Sequence, residues 1–309
     1  MPLLNSEYLS NWYTLSFDGI GIDGTRICIA ESFTQAKVQE ASNKSAIQGD
    51  IGTHIMDIGG KYYTSTVSAP VLIGYTDANV TDVFDLIGYF ATAQSNTVVY
   101  ADSAYLMESA QIEVSADAVK ATASFQGDRR IDLATYVTSA PDNLYARTAR
   151  FYDVRFQIGK IGGFYFIGNI LSGNISIKFD IDKVYVLGKS ADQNPQAPNF
   201  AIRGYSATGN IKLAITPEDY ANYLDNADLI TGSEQLQGQL ITAPLLGDSN
   251  YAGAMLEIAP FGTGGRKMIL GTYAVITKID FNMQQNNIIT ANVEFASYFN
   301  KDSTIVTNI

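Results

Sequence analysis

The stretch QIEVSADAVKATASFQ, residues 111–126, decides the fold class of this chain. Its first part alternates, with the apolar Ile112 and Val114 set between polar neighbours. After a turn at residues 116–118, the alternation resumes and runs to Phe125. A period of two residues places successive side chains on opposite faces of a strand. The stretch therefore predicts a long antiparallel hairpin with one apolar and one polar face.

The same pattern occurs in the second half of the chain. Residues 278–284 and 289–295 alternate on either side of a turn at 285–287, and residues 175–182 alternate as well. We predict long hairpins over residues 105–126 and 271–296. The chain is also rich in Tyr, Phe, Ile, Val and Thr, which favour strands. The sequence therefore predicts a mainly β protein.

Short blocks recur in the same order in the two halves, which indicates a tandem duplication. The paired blocks are 12–17 with 151–156, 46–49 with 201–204, 68–74 with 242–247, and the hairpins that end at Phe125 and Phe295. A repeat of this length is a whole domain, since solenoid units are about 20–50 residues long. We predict two domains, residues 1–145 and 146–309, with a linker at 138–143 where Pro and Asn break regular structure.

Helix is expected at few positions. Apolar residues at helical spacing predict a helix from about residue 83 to 90, with Asp77 or Thr81 as its cap. Its counterpart in the second half is predicted at 251–258. A further helix near 216–230 has no counterpart, and we interpret it as an insertion. Each half should therefore contain a short helix and a long hairpin.

The charge balance limits the possible partners. The 309 residues include 20 basic and 31 acidic side chains, a net charge of −11. Proteins that bind nucleic acid need clustered Lys and Arg side chains, so this composition argues against a nucleic-acid-binding protein. It does not argue against a pore through which nucleic acid slides. The longest apolar stretch, 161–171, is too short to span a bilayer, and we expect no membrane partner. The N-terminus lacks the pattern of a secretory signal, so we expect synthesis in the cytoplasm.

Candidate catalytic and metal-binding residues are few, and we expect neither an enzyme nor a cofactor. His54 is the only histidine and has no serine or cysteine signature near it. Cys28, the only cysteine, lies in an apolar run and is expected to be buried. The glycine-rich stretch 260–267 lacks the Lys-Ser/Thr ending of a phosphate loop. Helix caps and solvated faces account for two groups of aspartates, Asp77, Asp82 and Asp85, and Asp219, Asp225 and Asp228.

Two tandem β-domains, each a sandwich or half-barrel with one helix and a long amphipathic hairpin, resemble the tail-tube fold of long-tailed bacteriophages and related contractile injection machines. The blocks 68–74 and 242–247, each followed by a predicted helix and hairpin, carry the resemblance. It implies rings of six domains that stack into a tube through which DNA passes. A chain of two domains would form such a ring as a trimer, and a hexamer of larger subunits is the other possibility.

The resemblance also implies partners and a location. The partners would be further copies of the chain, together with sheath and baseplate proteins, and the location would be the virion tail after synthesis in the bacterial cytoplasm. The hairpins would turn their polar faces towards the lumen, where an acidic lining would repel phosphate and let DNA pass without specific binding. The candidate lumen-facing residues are Glu108, Gln111, Glu113, Asp117, Asp280, Asn282 and Glu294.

Other functions remain open at this stage. A baseplate hub or tube initiator of the same machinery would form one closed ring that does not polymerise. A virion surface module could bind glycans through some of the 19 tyrosines, although most aromatic residues fall at apolar strand positions. A virion depolymerase would need two carboxylates that the sequence does not single out.

Overall fold

A computed structural model gives the structure of the chain. It describes residues 13–17, 26–45, 54–73, 80–95, 99–100, 105–133, 147–160, 163–166, 169–184, 198–215, 252–258, 266–271, 273–283 and 289–298. The strands, in chain order, are β1 (Tyr13–Phe17), β2 (Arg26–Ala30), β3 (Ser32–Ser45), β4 (His54–Pro70), β5 (Leu72–Ile73), β6 (Val80–Thr81), β7 (Val99–Tyr100), β8 (Leu106–Val114), β9 (Val119–Gly127), β10 (Asp132–Leu133), β11 (Arg147–Thr148), β12 (Val154–Lys160), β13 (Gly163–Phe166), β14 (Asn169–Val184), β15 (Asn199–Ile215), β16 (Ala252–Ile258), β17 (Arg266–Gly271), β18 (Tyr273–Asn282) and β19 (Ile289–Tyr298). The described part of the chain also contains the α-helix α1 (Val83–Ser95) and a 3-10 turn (Phe151–Asp153), so the predicted mainly β class is confirmed.

The largest sheet of the described residues is antiparallel, with the order β18-β19-β15-β14-β8-β9-β4-β3, and β7 pairs with the start of β15. The predicted hairpins are confirmed as β8–β9 and β18–β19. The alternation holds as well. On β8, Ala110, Ile112 and Val114 are buried, whereas Gln111 and Glu113 are exposed. One face of the sheet therefore forms the core and the other face is polar.

The two halves of this sheet have the same strand order. The first half contributes β3-β4-β9-β8 and the second half contributes β14-β15-β19-β18. In each group a long hairpin, β3–β4 or β14–β15, is followed by a second hairpin that pairs with the long hairpin's second strand. The groups meet where β8 pairs with β14. This junction leaves β3 and β18 as the two ends of the sheet.

A bulge and an aromatic contact recur at the same place in the two groups. In β8–β9 the register shifts between Met107 and Ser109, opposite Phe125. In β18–β19 it shifts between residues 276 and 278, opposite Phe295. Phe125 packs on Phe17 at 5.3 Å between ring centroids. Phe295 packs in the same way on a β12 phenylalanine, residue 156, at 4.7 Å. Within each half, this contact links the first sequence block, 12–17 or 151–156, to the hairpin of the last block, which ends at Phe125 or Phe295.

One other block match, 68–74 with 242–247, differs from the strand correspondence. Phe125 faces Ser65 on β4 and Phe295 faces Gly209 on β15, so these strands correspond with Ser65 at the position of Gly209. By this register, Ala69 corresponds to Leu213 and not to a residue of the block 242–247. That block and the block 46–49 lie outside the described residues.

Smaller sheets cover the apolar face of the large one. The small sheet of the first half has the strand order β10-β1-β2-β6, and that of the second half has the order β13-β12-β16-β17. Leu15 and Cys28 of the first small sheet, and Met268 and Leu270 of the second, are buried in one continuous core. Burial of apolar surface between such layers is the main driving force for folding.

Helix α1 confirms the prediction for the first half, but its cap differs. The Asp85 amide donates to Asp82 Oδ1 at 3.0 Å, so Asp82 caps the helix and the prediction of Thr81 is wrong. The other predicted cap, Asp77, lies outside the described residues. At the far end, the Gln94 side chain accepts from the Met107 amide at 2.6 Å and donates to the Met107 carbonyl at 2.8 Å. These two hydrogen bonds pair the backbone amide and carbonyl of Met107, which lies beside the β8 bulge.

The helix predicted at 251–258 is wrong, because these residues form strand β16. β16 pairs with β12 on one side and with β17 on the other. Ala, Met, Leu and Glu are good helix formers, but intrinsic propensity is worth less than about 1 kcal/mol per residue, and strand pairing on both edges overrides it. The β16–β17 hairpin packs against β15, β18 and β19, just as α1 packs against β4, β8 and β9. Among the described residues, this hairpin occupies in the second half the position that α1 has in the first.

Two further predictions lie outside the described residues. The helical insertion near 216–230 falls between β15 and β16, and the linker at 138–143 with its domain boundary falls between β10 and β11. Both stay predictions.

The segment after this boundary is tied firmly to the first half. β11 pairs with β5, and the Ala149 amide donates to the Val71 carbonyl at 2.8 Å. The Ala149 carbonyl accepts from the Val119 amide at 2.6 Å. Asp153, which is fully buried, binds Arg147 through both carboxylate oxygens, each at 2.5 Å. Its carboxylate also accepts from the Arg150 amide at 2.9 Å. This ion pair fixes the chain where one half passes to the other.

Candidate assembly surface

The polar face of the large sheet runs without interruption across the two groups of strands. In the first group, cross-strand hydroxyls bond to each other, since Thr122 Oγ1 donates to Ser68 Oγ at 3.0 Å and Thr66 Oγ1 lies 3.2 Å from Ser124 Oγ. A row of facing residues then crosses the junction at right angles to the strands. This polar row consists of Lys120, Glu113, Asn174, Asn210, Glu294 and Lys278.

Five of the seven candidate lumen-facing residues lie on this polar face. They are Gln111, Glu113, Asp280, Asn282 and Glu294. Glu108 is exposed at the β8 bulge, and Asp117 is exposed in the turn between β8 and β9. The structure therefore places strands of the two predicted hairpins on one common surface. Whether that surface lines a lumen stays a prediction.

The polar face is of mixed charge, which corrects the prediction of an acidic lining with few lysines. Glu113 faces Lys120 and Glu294 faces Lys278 across neighbouring strands. Lys278 Nζ also lies 2.5 Å from Asp280 Oδ2, and this hydrogen bond raises the pKa of the lysine. The sequence pattern identified the face but not its cross-strand neighbours, and these neighbours place lysines opposite Glu113 and Glu294.

A groove of about 540 Å³ lies on the polar face where the two groups of strands meet. Its lining is rich in neutral amides and hydroxyls, contributed by Gln111, Asn174, Ser176, Thr208 and Asn210, with Glu294 at one side. Such groups hydrogen-bond water and present no net positive charge to a phosphate. The groove therefore suits a wetted, non-adhesive surface better than an anion-binding site.

A side-chain contact between the ends of β14 and the β3–β4 hairpin indicates that the sheet is curled. Lys183 of β14 reaches the first group, where its Nζ lies 3.8 Å from the centroid of the Tyr62 ring and 3.3 Å from Glu40 Oε1. β8 and β9 separate β14 from β4, so a flat sheet would hold them about 14 Å apart. The contact therefore requires the sheet to twist or curl between β14 and β4.

The ends of the sheet carry exposed side chains. Thr34 and Ala36 on β3 are exposed, and so are Lys278 and Asp280 on β18. Met283, next to the end of β18, is 51% exposed. Within the described chain, no further strand pairs with the outer side of β3 or of β18. Unpaired strand edges are sites where another chain can extend a sheet.

The described residues offer little to catalysis. No group of three or more His, Cys, Asp or Glu side chains among them could hold a metal ion. His54 begins β4, and Asp82 is buried as the helix cap. The glycine-rich stretch at 260–265 and the aspartates at 219, 225 and 228 lie outside the described residues. Arg266 and Lys267, at the end of the glycine-rich stretch, belong to strand β17.

Cys28 is buried, and we expect it to be chemically inert in the folded chain. Burial raises the pKa of its thiol well above the usual value, and the nearby charges of Asp82 and Asp85 raise it further. At mildly alkaline pH the native protein should react with a thiol reagent such as DTNB roughly a hundredfold or more slower than the unfolded chain, because reaction requires local opening. Absorbance during reaction with and without guanidinium chloride measures this ratio. Equal rates would contradict burial of the thiol.

None of the helices in the described part of the chain combines the length and the apolar character needed to cross a membrane. No protein-family model matches the chain, and no curated protein matches it significantly.

Proposed function

We propose that this chain is a structural subunit of a tube, a tail-tube protein of a long-tailed bacteriophage or a related injection machine. Its two halves are two tandem tail-tube-like domains, and copies of the chain close into a ring around a central channel. The rings stack, and DNA passes through the channel without specific binding. The subunit resides in the virion tail after synthesis in the bacterial cytoplasm, and it performs no catalysis.

One observation carries this proposal. The two groups of strands have the same order and are joined through β8 and β14, while β18 and β3 remain at the ends of the sheet. β18 occupies in the second group the position that β8 has in the first, and β3 corresponds to β14. One end of each copy therefore carries the counterpart of β8, and the other end carries the counterpart of β14. Contacts between these unlike ends are head-to-tail, and they form a ring when the rotation between successive copies closes.

The polar face supports the second part of the proposal. It is continuous across the chain and of mixed charge, and a groove on it is lined by amides and hydroxyls. A closed ring with this face inward would have a wetted channel that lacks clustered cations. The net charge of −11 is consistent with a channel that does not retain DNA.

Negative-stain electron microscopy of the purified chain over a concentration series tests the proposal. We expect rings with a central hole at low concentration and stacked rings or hollow filaments at high concentration. A single ring that never stacks would instead indicate the hub or initiator of the same machinery. A monodisperse particle without a hole at every concentration would contradict both, and glycan binding would become the leading alternative.

A further inference from the structure

We propose that β18 of one copy pairs antiparallel with β3 of a second copy, in the register that β8 and β14 have within the chain. This inference rests on the proposed function, because ring closure brings the second copy to the edge. It goes further by naming which residues face each other, and by making the internal junction the template for the contact between copies.

Strand β18 corresponds to β8. Both strands are the first strand of a hairpin, and both have a bulge opposite a buried phenylalanine, Phe125 or Phe295. Aligning the bulges places Ser109 on Lys278 and Gln111 on Asp280. Gln111 and Asp280 then lie on the polar face of their strands, as the alternation requires.

Strand β3 corresponds to β14. Because Ser65 and Gly209 face the two phenylalanines, β4 and β15 align without ambiguity. Their partners follow from the register of each long hairpin, which places Asn174 on Thr34 and Ser176 on Ala36. All four side chains are exposed.

The internal junction then gives the contact between copies. In the internal junction the facing pairs are Gly173 with Val114, Asn174 with Glu113, Ile175 with Ile112, Ser176 with Gln111, Ile177 with Ala110, and Lys178 with Ser109. The corresponding pairs between copies are Phe33 with Met283, Thr34 with Asn282, Gln35 with Phe281, Ala36 with Asp280, Lys37 with Ile279, and Val38 with Lys278.

The side chains at the two edges fit this register. Met283 is 51% exposed, and it would lie against Phe33, which is half-buried and packs on Tyr13 at 6.3 Å between ring centroids. Burial of an exposed methionine against an aromatic ring is favourable. On the other face, Thr34 and Ala36 would continue the polar surface of β18. On neither face of the sheet does the proposed register place two side chains of like charge opposite each other.

The contact between copies is less apolar than the internal junction. Ile175 is buried at the junction, but its counterpart Gln35 accepts hydrogen bonds from Ser65 Oγ at 3.0 Å and from the Ile131 amide at 2.7 Å. The counterpart of the buried Ile177 is Lys37, whose Nζ lies 5.8 Å from the centroid of the Tyr63 ring. An inward-pointing charge weakens edge pairing with wrong partners. The chain therefore folds as a unit first, and the copies associate afterwards.

Disulfide cross-linking tests the register. Facing residues of an antiparallel pair have Cα atoms about 4.5–5.5 Å apart, within the range of a disulfide, whereas a shift of two residues adds about 7 Å along the strand. The double variant Thr34→Cys with Asn282→Cys should form covalent oligomers in multiples of the 33.5 kDa chain when oxidised by copper phenanthroline. The off-register variant Thr34→Cys with Asp280→Cys should give at least tenfold less.

An internal control uses the same geometry. Glu113→Cys with Asn174→Cys faces the same two positions across the internal junction, and it should close within one chain. Non-reducing gel electrophoresis reads both results, and circular dichroism checks the fold. All the replaced side chains except those of the internal control lie at the free edges of the sheet.

A charge pair at Ala36 gives an independent measurement. In the proposed register Ala36 faces Asp280, so Ala36→Asp should weaken assembly and Ala36→Lys should not, with a difference of roughly threefold to tenfold per contact. Sedimentation velocity over a concentration series measures it. Because Ala36 is exposed on β3, neither variant buries a charge in the single chain.

The outcomes separate this inference from the proposed function. In-register cross-links together with the Ala36 difference support the register. Rings in the microscope without preferential cross-linking of Thr34→Cys to Asn282→Cys would overturn the register and leave the tube proposal standing. A chain that stays single, uncross-linked and without rings would overturn both.

Discussion

Replacing Asp153 with alanine should lower the free energy of unfolding by about 3–5 kcal/mol, the cost of leaving one partner of a buried ion pair alone. Asp153 is fully buried, and its two oxygens bind Arg147 at 2.5 Å each and the Arg150 amide at 2.9 Å. The substitution removes the carboxylate acceptor of the Arg150 amide and both short bonds of the guanidinium, which keeps a 3.3 Å bond to the Thr148 carbonyl. The segment also bonds to Val71, so the loss loosens the passage between the halves.

Guanidinium chloride unfolding of the chain at low concentration, followed by circular dichroism, measures this change. Asp132→Ala is the matched control, because Asp132 pairs with Arg130 at 2.8 Å while their side chains are 63% and 69% exposed. An exposed pair contributes about 0–1 kcal/mol. Similar losses for the two variants would show that the Arg147–Asp153 pair is not a special constraint.

Replacing Gly209 with alanine should destabilise the chain by about 3 kcal/mol, near the upper end of the usual cost of overpacking. A Cβ at this position would lie within 2.5 Å of Phe295 Cζ and closer still to Cε1 of the same ring. Phe295 is buried against Phe156, so its ring has little room to move. In the first half, Ser65 holds the corresponding position and turns its hydroxyl to Gln35.

Gly204→Ala on the same strand is the matched control, since a Cβ there meets no atom within 4 Å. It should change the stability by less than about 1 kcal/mol, with a tendency to stabilise through the unfolded chain. Adding Phe295→Leu to Gly209→Ala should recover part of the loss, because a smaller side chain relieves the clash. A Gly209→Ala variant as stable as Gly204→Ala would contradict this packing.

The hairpins could be predicted from the sequence because one face of each is buried. Ile112 and Phe125 alternate with polar neighbours, and burial on one side fixes both the strand and its face. Alternation does not say which strand lies next to which. The pairing of β8 with β14 therefore could not be read from the sequence, although Ile112 and Ile175 lie in equally clear patterns.

Other features depend on tertiary context. The segment 252–258 contains good helix formers, yet β12 and β17 hold it as a strand. The bulge beside Met107 depends on Gln94, which arrives from a helix thirteen residues earlier. The mixed charge of the polar face arises because Lys120 and Lys278 belong to neighbouring strands. Composition predicted an acidic protein correctly, but cross-strand position decides the charge of a surface.

In the proposed tube, the internal junction is more apolar than the contact between copies, and this difference separates folding from assembly. The internal junction buries Ile112, Ile175 and Ile177, so the two halves form one unit. The β3 edge carries Gln35 and Lys37 in the corresponding inward positions, and in the proposed contact these polar groups would disfavour pairing with a misaligned partner. A tube built in this way assembles from folded chains and not from unfolded ones.

A cryo-electron microscopy reconstruction of the assembled protein tests the central claim most directly. The account predicts a ring in which the eight-stranded sheets of successive copies continue into one barrel wall, with the face that carries Gln111 and Glu294 lining the hole. β18 of each copy should lie beside β3 of the next. An assembly whose copies meet through other surfaces, or whose polar face points outward, would contradict it.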